Sequence, residues 1–491
     1  MNRTSGLAAL IAAGAVAGGC TVGPDFTRPS HPAGGYAKAT PAPTPTRSID
    51  PGAEVAADWY QLFHSAALDQ LVHQALANNQ TLEAARHGLL AAQHELRAVQ
   101  GTQLPQLDLG AQVGRAHING SYLYAPTNAI SQTGNRFELG PTLAYNLDPF
   151  GGTRRQIESQ RAATAVTRDQ VLNTYVTLVD QTVITAFDYA ATAAQIEVTQ
   201  ALVSELQSQY ELTRTLENAG KIIRSDTLLA QTQLENLRAT LPALEQQRDT
   251  YRNALAELCG QTPDEFTMPA LSLRDFALPE HLPLSLPSVL VRQRPDILAA
   301  EDSLHQASAA VGVAEAARLP SLTISGQYAQ QTSELSDFLT RPGAVWEAGL
   351  NATAPLFHGG TLKARQQEAE ERYKQSLASY RGTVITAFRE VANALQALQH
   401  DADGYTAHSV ALAAARDNRE LAREQYQAGK YTELQVLTAE QQYEQAALSQ
   451  VQADVQRFTD TAELFRALGG GWWNAPRDPA ALAAVTGDRH D

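Results

Sequence analysis

The sequence predicts a mainly α-helical chain that also builds a membrane β-barrel: long coiled-coil helical hairpins plus four β-strands per subunit, twelve in a trimer. Three observations predict it. The chain is written twice, its hydrophobic pattern switches period within each copy, and its composition suits rods rather than globules. Only 7% of the 491 residues are aromatic and only 2 are Met. Ala, Leu, Gln, Glu and Arg fill long stretches instead, as in extended helices that pack through small side chains.

The duplication is explicit. Thr182-Val183-Ile184-Thr185-Ala186-Phe187 recurs identically as Thr383-Val384-Ile385-Thr386-Ala387-Phe388, and an identity of that length does not arise by chance. Further pairs keep the same order: Thr81-Leu82-Glu83-Ala84-Ala85 with Asp296-Ile297-Leu298-Ala299-Ala300, Leu104-Pro105 with Leu319-Pro320, Gly151-Gly152-Thr153 with Gly359-Gly360-Thr361, and Ala219-Gly220-Lys221 with Ala428-Gly429-Lys430. Two structural repeats follow, 59–260 and 291–468, joined by a Pro-rich equatorial segment, 261–290, and trailed by a tail, 469–491.

The N-terminus comes first in order. Asn2-Arg3 and the short apolar stretch Leu7 to Val16 have the form of a secretory signal, residues 1–19. Ala17-Gly18-Gly19-Cys20 resembles a lipobox, which would place a diacylglycerol on Cys20. Ala15-Val16-Ala17 is an alternative site for ordinary signal peptidase, because lipoboxes usually carry Leu where Ala17 stands. Thr21, rather than Asp, follows the cysteine and directs such a lipoprotein to the outer membrane. Residues 20–58 then form a lipid-anchored extended segment.

Each repeat opens with an Ala-rich helix, about 66–103 and 293–318, closing before Pro105 or Pro320. Alternation takes over at about 105–115, 136–147, 320–330 and 345–356, with Leu107, Leu109, Val113, Leu139, Leu143, Ile324, Tyr328, Trp346 and Leu350 on one face. Polar residues, Glu138 and Glu347 among them, occupy the other and are expected to face a lumen. A soluble protein would cover the apolar face with a core. The flanking helices offer no such cover, whereas a lipid bilayer does. Four strands leave open edges, which lipid does not tolerate, so closure requires several subunits. Long helical tracts follow, with seams at Leu172, Val176, Val179, Val183 and Phe187, and at Val384, Phe388, Val391, Leu395 and Leu398. They run to breaks at Gly220 and Gly429, and Pro242 kinks the first return helix.

Other chemistries find little support. A net charge of −15 opposes nucleic-acid binding. Cys259 cannot form an internal disulfide once Cys20 is modified and is expected to be a small buried side chain. His87 and His94 lack a third ligand, so no metal is expected. Gly469-Gly470-Gly471 precedes no Lys-Ser/Thr and ends a helix instead. Arg154-Arg155 fits a polar collar at the membrane edge. No nucleophile, base and orienter come together in the sequence, so neither an enzyme nor a cofactor is expected.

These residues resemble the TolC-like outer-membrane factor family, in its lipoprotein (NodT/OprM-like) branch. The match runs from Cys20-Thr21-Val22-Gly23-Pro24-Asp25-Phe26 through Trp59-Tyr60, Leu147-Asp148-Pro149-Phe150-Gly151-Gly152 and Gln293-Arg294-Pro295-Asp296-Ile297 to Ala467-Leu468-Gly469-Gly470-Gly471-Trp472. The resemblance implies a homotrimeric outer-membrane exit duct for small molecules, multidrug export among them, with a twelve-stranded barrel and the hairpins forming a long periplasmic α-barrel. It also implies docking with a periplasmic adaptor (membrane fusion) protein and an inner-membrane pump of RND, ABC or MFS type. Asp226 and Tyr426 match an acid and a tyrosine that hydrogen-bond in relatives, which implies a gate latch. Leu434 matches an apolar constriction and Glu433 adds charge, but Gln435 and Thr438 replace the acids of the pore ring found in relatives. The other reading of the helices, a periplasmic coiled-coil adaptor or scaffold lipoprotein, requires a lipoyl-like β-domain and no paired amphipathic strands.

Overall fold

The computed structural model describes residues 21–30, 34–36, 48–119, 131–339 and 343–474. The signal segment, Cys20 and the end of the tail lie outside the described residues. Along the chain run β1 (Ser48–Pro51), α1 (Ala66–Asn78), α2 (Gln80–Gly101), β2 (Gln106–Asn119), β3 (Ser131–Leu147), α3 (Gly152–Asn218), α4 (Arg224–Arg238) and α5 (Leu241–Leu258). They are followed by β4 (His281–Leu284), α6 (Pro287–Leu290), α7 (Pro295–Ala316), β5 (Ser321–Thr332), β6 (Ala344–Thr353), α8 (Thr361–Gln427) and α9 (Glu433–Ala467). The protein is mostly helical. Two compact units share these elements, and each sequence repeat contributes to both: Met1–Pro29, Leu90–Thr167 and Ala300–Tyr380 form one, and Ser30–Leu89, Arg168–Ala299 and Arg381–Asp491 the other.

The first unit holds an antiparallel sheet of order β2-β3-β5-β6. The two hairpins expected from alternation are joined by β3 and β5, with Leu143 opposite Gly326 and Leu147 opposite Leu322. Gly140 makes this join possible, since a Cβ there would lie 2.0 Å from the Tyr328 carbonyl oxygen. Pro141, next to it, has no N–H to give to a neighbouring strand.

The second unit buries Trp59, Phe63, Phe187 and Phe465, with Phe276 and Phe458 beside them. Phe63 and Phe187 meet edge to face at 4.9 Å, and Trp59 stacks on Phe465 at 5.1 Å. The low aromatic content argued against a large globular core, yet the few aromatics gather here from both repeats and from the segment before α1. Burying such rings contributes about 2–3 kcal/mol each. β1 and β4 form a two-stranded parallel pair in the same unit. Each is four residues long and contains proline, too short for alternation to announce it.

Helix boundaries follow local chemistry. The helix expected over 66–103 is two helices, because Asn79 adopts extended backbone between them. Its Nδ2 donates to Leu258 O at 2.9 Å, and its Oδ1 accepts from Leu82 N at 2.9 Å, capping α2. α3 and α8 are each 67 residues, about 100 Å at 1.5 Å per residue. Both stop at the expected glycines, Gly220 with φ +68° and Gly429 with φ +71°. Lys221 N donates to Leu216 O at 2.9 Å and Lys430 N to Gln425 O at 2.8 Å, closing matched left-handed caps. Pro242 lies in the first turn of α5, after the break at Ala239-Thr240, where the missing N–H is tolerated. Gly469 and Gly470, with φ +101° and +71°, end α9.

Candidate channel elements: amphipathic sheet and hairpin ends

The register sorts the sheet into two faces. Leu107 lies opposite Leu143, Leu109 opposite Pro141, Tyr328 opposite Trp346 and Ile324 opposite Leu350. This face is open in the single chain, with Leu109 73%, Val113 76% and Trp346 73% exposed. An apolar surface of that extent marks contact with lipid or another protein. The opposite face is hydrogen-bonded to itself. Thr323 Oγ1 donates to Asn146 at 2.8 Å, Asn351 Nδ2 donates to Ser325 Oγ at 3.0 Å, and Arg136 and Gln327 both donate to Glu138. Glu138 is thereby buried, while Glu347, opposite Gln327, is exposed. β2 and β6 are the free edges.

In the second unit the ends of α3, α4, α8 and α9 converge. Leu202, Leu206, Leu234, Leu237 and Leu437 form a small apolar cluster. Above it Gln209 Nε2 donates to both oxygens of Glu433 at 2.8 and 3.1 Å. Glu433 is only 3% exposed, so its charge is turned inward. Burial raises its carboxyl above the usual range, an effect that Gln209 and Tyr426 oppose and Asp226 reinforces. Tyr426 is also raised, first by burial and then by the Glu433 and Asp226 carboxylates. Its buried Oη nevertheless has no hydrogen-bond partner of good geometry. Asp226 and Tyr426 are thus near one another without a bond in the single chain. Leu434 is 59% exposed. Gln435 completes a capping box, its Oε1 accepting from Thr432 N at 2.7 Å.

Sequence reasoning missed the strongest polar contacts here. Arg419 and Arg423 reach Glu205 at 2.8 and 2.9 Å, and Arg423 also reaches Glu440 at 2.6 Å. Arg419 lies 3.8 Å over the Tyr443 ring. These groups clasp α3, α8 and α9 together. The signal was faint: Arg419 and Arg423 are four apart on one helix, as are Glu205 and Gln209 on another.

Two further arrangements were not foreseen. Arg155 is not a collar residue but is buried, donating to Val22 O at 3.0 Å, to Gly23 O at 3.2 Å and to Asp25 and Glu158 at 2.7 Å. It thereby ties the N-terminal segment to α3, and Gly23 crosses α7 so closely that a Cβ there would lie 2.4 Å from Gly312 Cα. In the second unit, buried Arg294 reaches Asp296 and Glu390 at 2.8 Å, and Arg466 reaches Asp180 at 3.4 Å. Burial pushes Asp180 up to about 7. Cys259 is fully buried, and burial pushes its thiol up to about 11. No described helix is long and apolar enough to cross a membrane, and no group of three or more His, Cys, Asp or Glu among the described residues is placed to hold a metal.

A family model described as outer membrane efflux protein matches residues 71–261 and 286–470. The chain is 29% identical over 490 residues to the probable efflux pump outer membrane protein TtgC of Pseudomonas putida, covering 98% of this chain and 99% of the relative. The solved outer-membrane channel OprN is 28% identical and superposes with a TM-score of 0.83 over 92% of this chain and all of that one. The Campylobacter jejuni CmeC outer membrane channel, at 22% identity, has the same fold, with a TM-score of 0.86 over 95% of this chain and 98% of its own.

Proposed function

The chain belongs to the outer membrane efflux protein family, and we propose on that premise how its parts make an exit duct. It is an outer-membrane efflux channel protein, and its relatives are channels rather than enzymes. Three copies close their sheets edge to edge into a twelve-stranded barrel, with the exposed apolar face toward lipid and the polar face, Glu138 and Glu347 included, toward the lumen. One observation carries this reading: a four-stranded sheet with two free edges and an uncovered apolar face. Lipid leaves unpaired backbone N–H and C=O groups unsatisfied, so the edges must meet other edges. Twelve is an even number within the range of known barrels. Light scattering of the detergent-purified protein should give the mass of three chains; a monodisperse single chain would sink the barrel.

The long helices continue the conduit as an α-barrel through the periplasm, to an adaptor protein and an inner-membrane pump of RND, ABC or MFS type that selects the cargo. The hairpin ends are the gate, with Asp226, Tyr426, Glu433 and Leu434 at the closing level and the Arg419–Arg423 clasp behind them. Cys20 carries the lipid anchor. In support, the residue after it is held in place: a Cβ on Gly151 would lie 2.2 Å from Thr21 Cγ2, and Val22 N donates to Phe150 O at 3.0 Å. Mass spectrometry of the mature N-terminus tests the anchor, since a free N-terminus starting before Cys20 excludes it.

A further inference from the structure

Asp108 lies opposite Thr142, Thr142 opposite Gln327, and Gln327 opposite Glu347. One row thus crosses all four strands with a carboxylate at each end. Alternation places the row on the polar face, with Glu138, Asn146, Thr323 and Asn351. Among the described residues that face carries four charged side chains: Asp108, Arg136, Glu138 and Glu347. Arg136 and Glu138 neutralise each other, and Gln327 donates to Glu138 as well. Asp108 and Glu347 are exposed and make no ion pair or hydrogen bond with any described residue. Their nearest neighbours on the same face of their own strands are Gln106 and Gly110, and Val345 and Gly349. Nothing local requires a charge at either position.

We propose that Asp108 and Glu347 give the conducting lumen a preference for cations over anions. The assignment rests on the trimeric closure proposed above. Threefold symmetry sets each carboxylate at one height in three copies. Three strand steps of about 4.8 Å on strands tilted by about 40° separate the two sets by roughly 9 Å along the axis. Carboxylate rings in a pore favour cations by their field, and sets so far apart act through that field rather than by coordinating an ion. The field reaches about one Debye length, about 10 Å at 0.1 M salt and about 3 Å at 1 M. The preference is therefore largest in dilute salt and fades in concentrated salt. It also does not depend on the hairpin ends, where Gln435 and Thr438 carry no charge and Glu433 is turned inward.

The test is the reversal potential of the full-length protein in planar bilayers across a KCl gradient whose dilute side is below about 0.1 M. The wild type should reverse at a cation-selective potential, and Asp108→Asn with Glu347→Gln should shift it toward zero. Unitary conductance in 1 M KCl should stay unchanged, and Asp108→Lys with Glu347→Lys should reverse the sign. A neutralised variant that keeps the wild-type potential overturns the assignment and leaves the barrel intact. A wild type that inserts no channels and scatters as a single chain overturns the barrel itself, and the assignment with it.

Discussion

The two hairpins are built on the same plan but locked differently. Each sends out a 67-residue helix and turns at a left-handed glycine. The return helix of the first follows Ile223, which offers it no side-chain cap, and breaks after Arg238. The second starts with the Thr432–Gln435 capping box and runs 35 residues unbroken. Arg423, six residues before Gly429, bridges Glu205 and Glu440. Its counterpart six residues before Gly220 is Arg214, which makes no ion pair with a described residue. Duplication preserved the backbone signals, whereas the arginines of the polar clasp stand in the second copy alone and reach across to Glu205 of the first. The difference teaches that turn position is set locally and that locking is set by partners brought in from other helices.

The repeated hexapeptide makes the same point in the core and carries the largest expected effect. Val183, Ala186, Val384 and Ala387 are all buried. Phe187 is fully buried among Phe63, Phe276 and Phe458, whereas Phe388 is only partly buried and meets Tyr36 at 5.9 Å. Phe187→Ala should cost about 3–5 kcal/mol, and Phe388→Ala roughly half of that. Denaturant melts of the two variants measure the gap; equal losses would mean that the two copies are equally enclosed in the assembly.

The second effect falls on the clasp. Arg423→Ala leaves Glu440, 5% exposed at its side chain, without its nearest cation. Stranding a buried charge costs about 3–5 kcal/mol, less the relief gained when Glu440 protonates. Arg214→Ala, on the exposed equivalent, should change stability by under about 0.5 kcal/mol. Amide exchange in residues 433–440 should quicken and bilayer conductance should rise only in the first variant. Conductance that rises equally in both would erase the distinction between the hairpins.

What the sequence disclosed follows the same division. Gly220, Gly429 and Pro242 act on their own backbone, so the turns and the break were legible from residue type. The sheet was legible because period-two alternation is a property of consecutive residues, and its polar and apolar faces came out as expected. The joining of β3 to β5 was not, since it pairs strands from different repeats. The β1–β4 pair was too short to show a period. Arg155 resembled a surface charge because nothing in a linear pattern reveals that Val22, Gly23 and Asp25 return to meet it. The clasp was hidden for the same reason, its carboxylates lying 17 and 218 residues from Arg423.

A smaller effect concerns the latch. Tyr426 Oη is buried with no hydrogen bond of good geometry, although the Glu433 carboxylate lies close enough to act on it, so Tyr426→Phe removes at most a weak contact and should leave single-chain stability within about 0.5 kcal/mol. Asp226→Ala should raise conductance, because Asp226 lies in the first turn of α4, where its charge favours the helix N-terminus. If Tyr426→Phe raises conductance as much as Asp226→Ala, the phenol finds its carboxylate only when copies assemble. If Asp226→Ala leaves conductance unchanged, there is no latch.

The smallest effect is a pH dependence confined to the second hairpin. Glu433 is buried and its carboxyl is raised, whereas the residue at the same distance past the first turn is Arg224, exposed and without a carboxyl. A carboxyl raised in the packed state binds its proton there before it would in water. Between its ordinary range and its raised value, the packed end therefore holds more protons than a released one. Rising pH through that window weakens the packing, and falling pH strengthens it until both states are protonated. Acidification should accordingly lower conductance. Glu433→Gln removes the titration, keeps a neutral side chain of the same size beside Gln209, and should flatten the profile, holding conductance near its acid value. The mechanism would be refuted by a variant whose pH profile still follows the wild type, because the titrating group would then have to lie elsewhere, with raised Glu440 behind Arg423 the next to substitute.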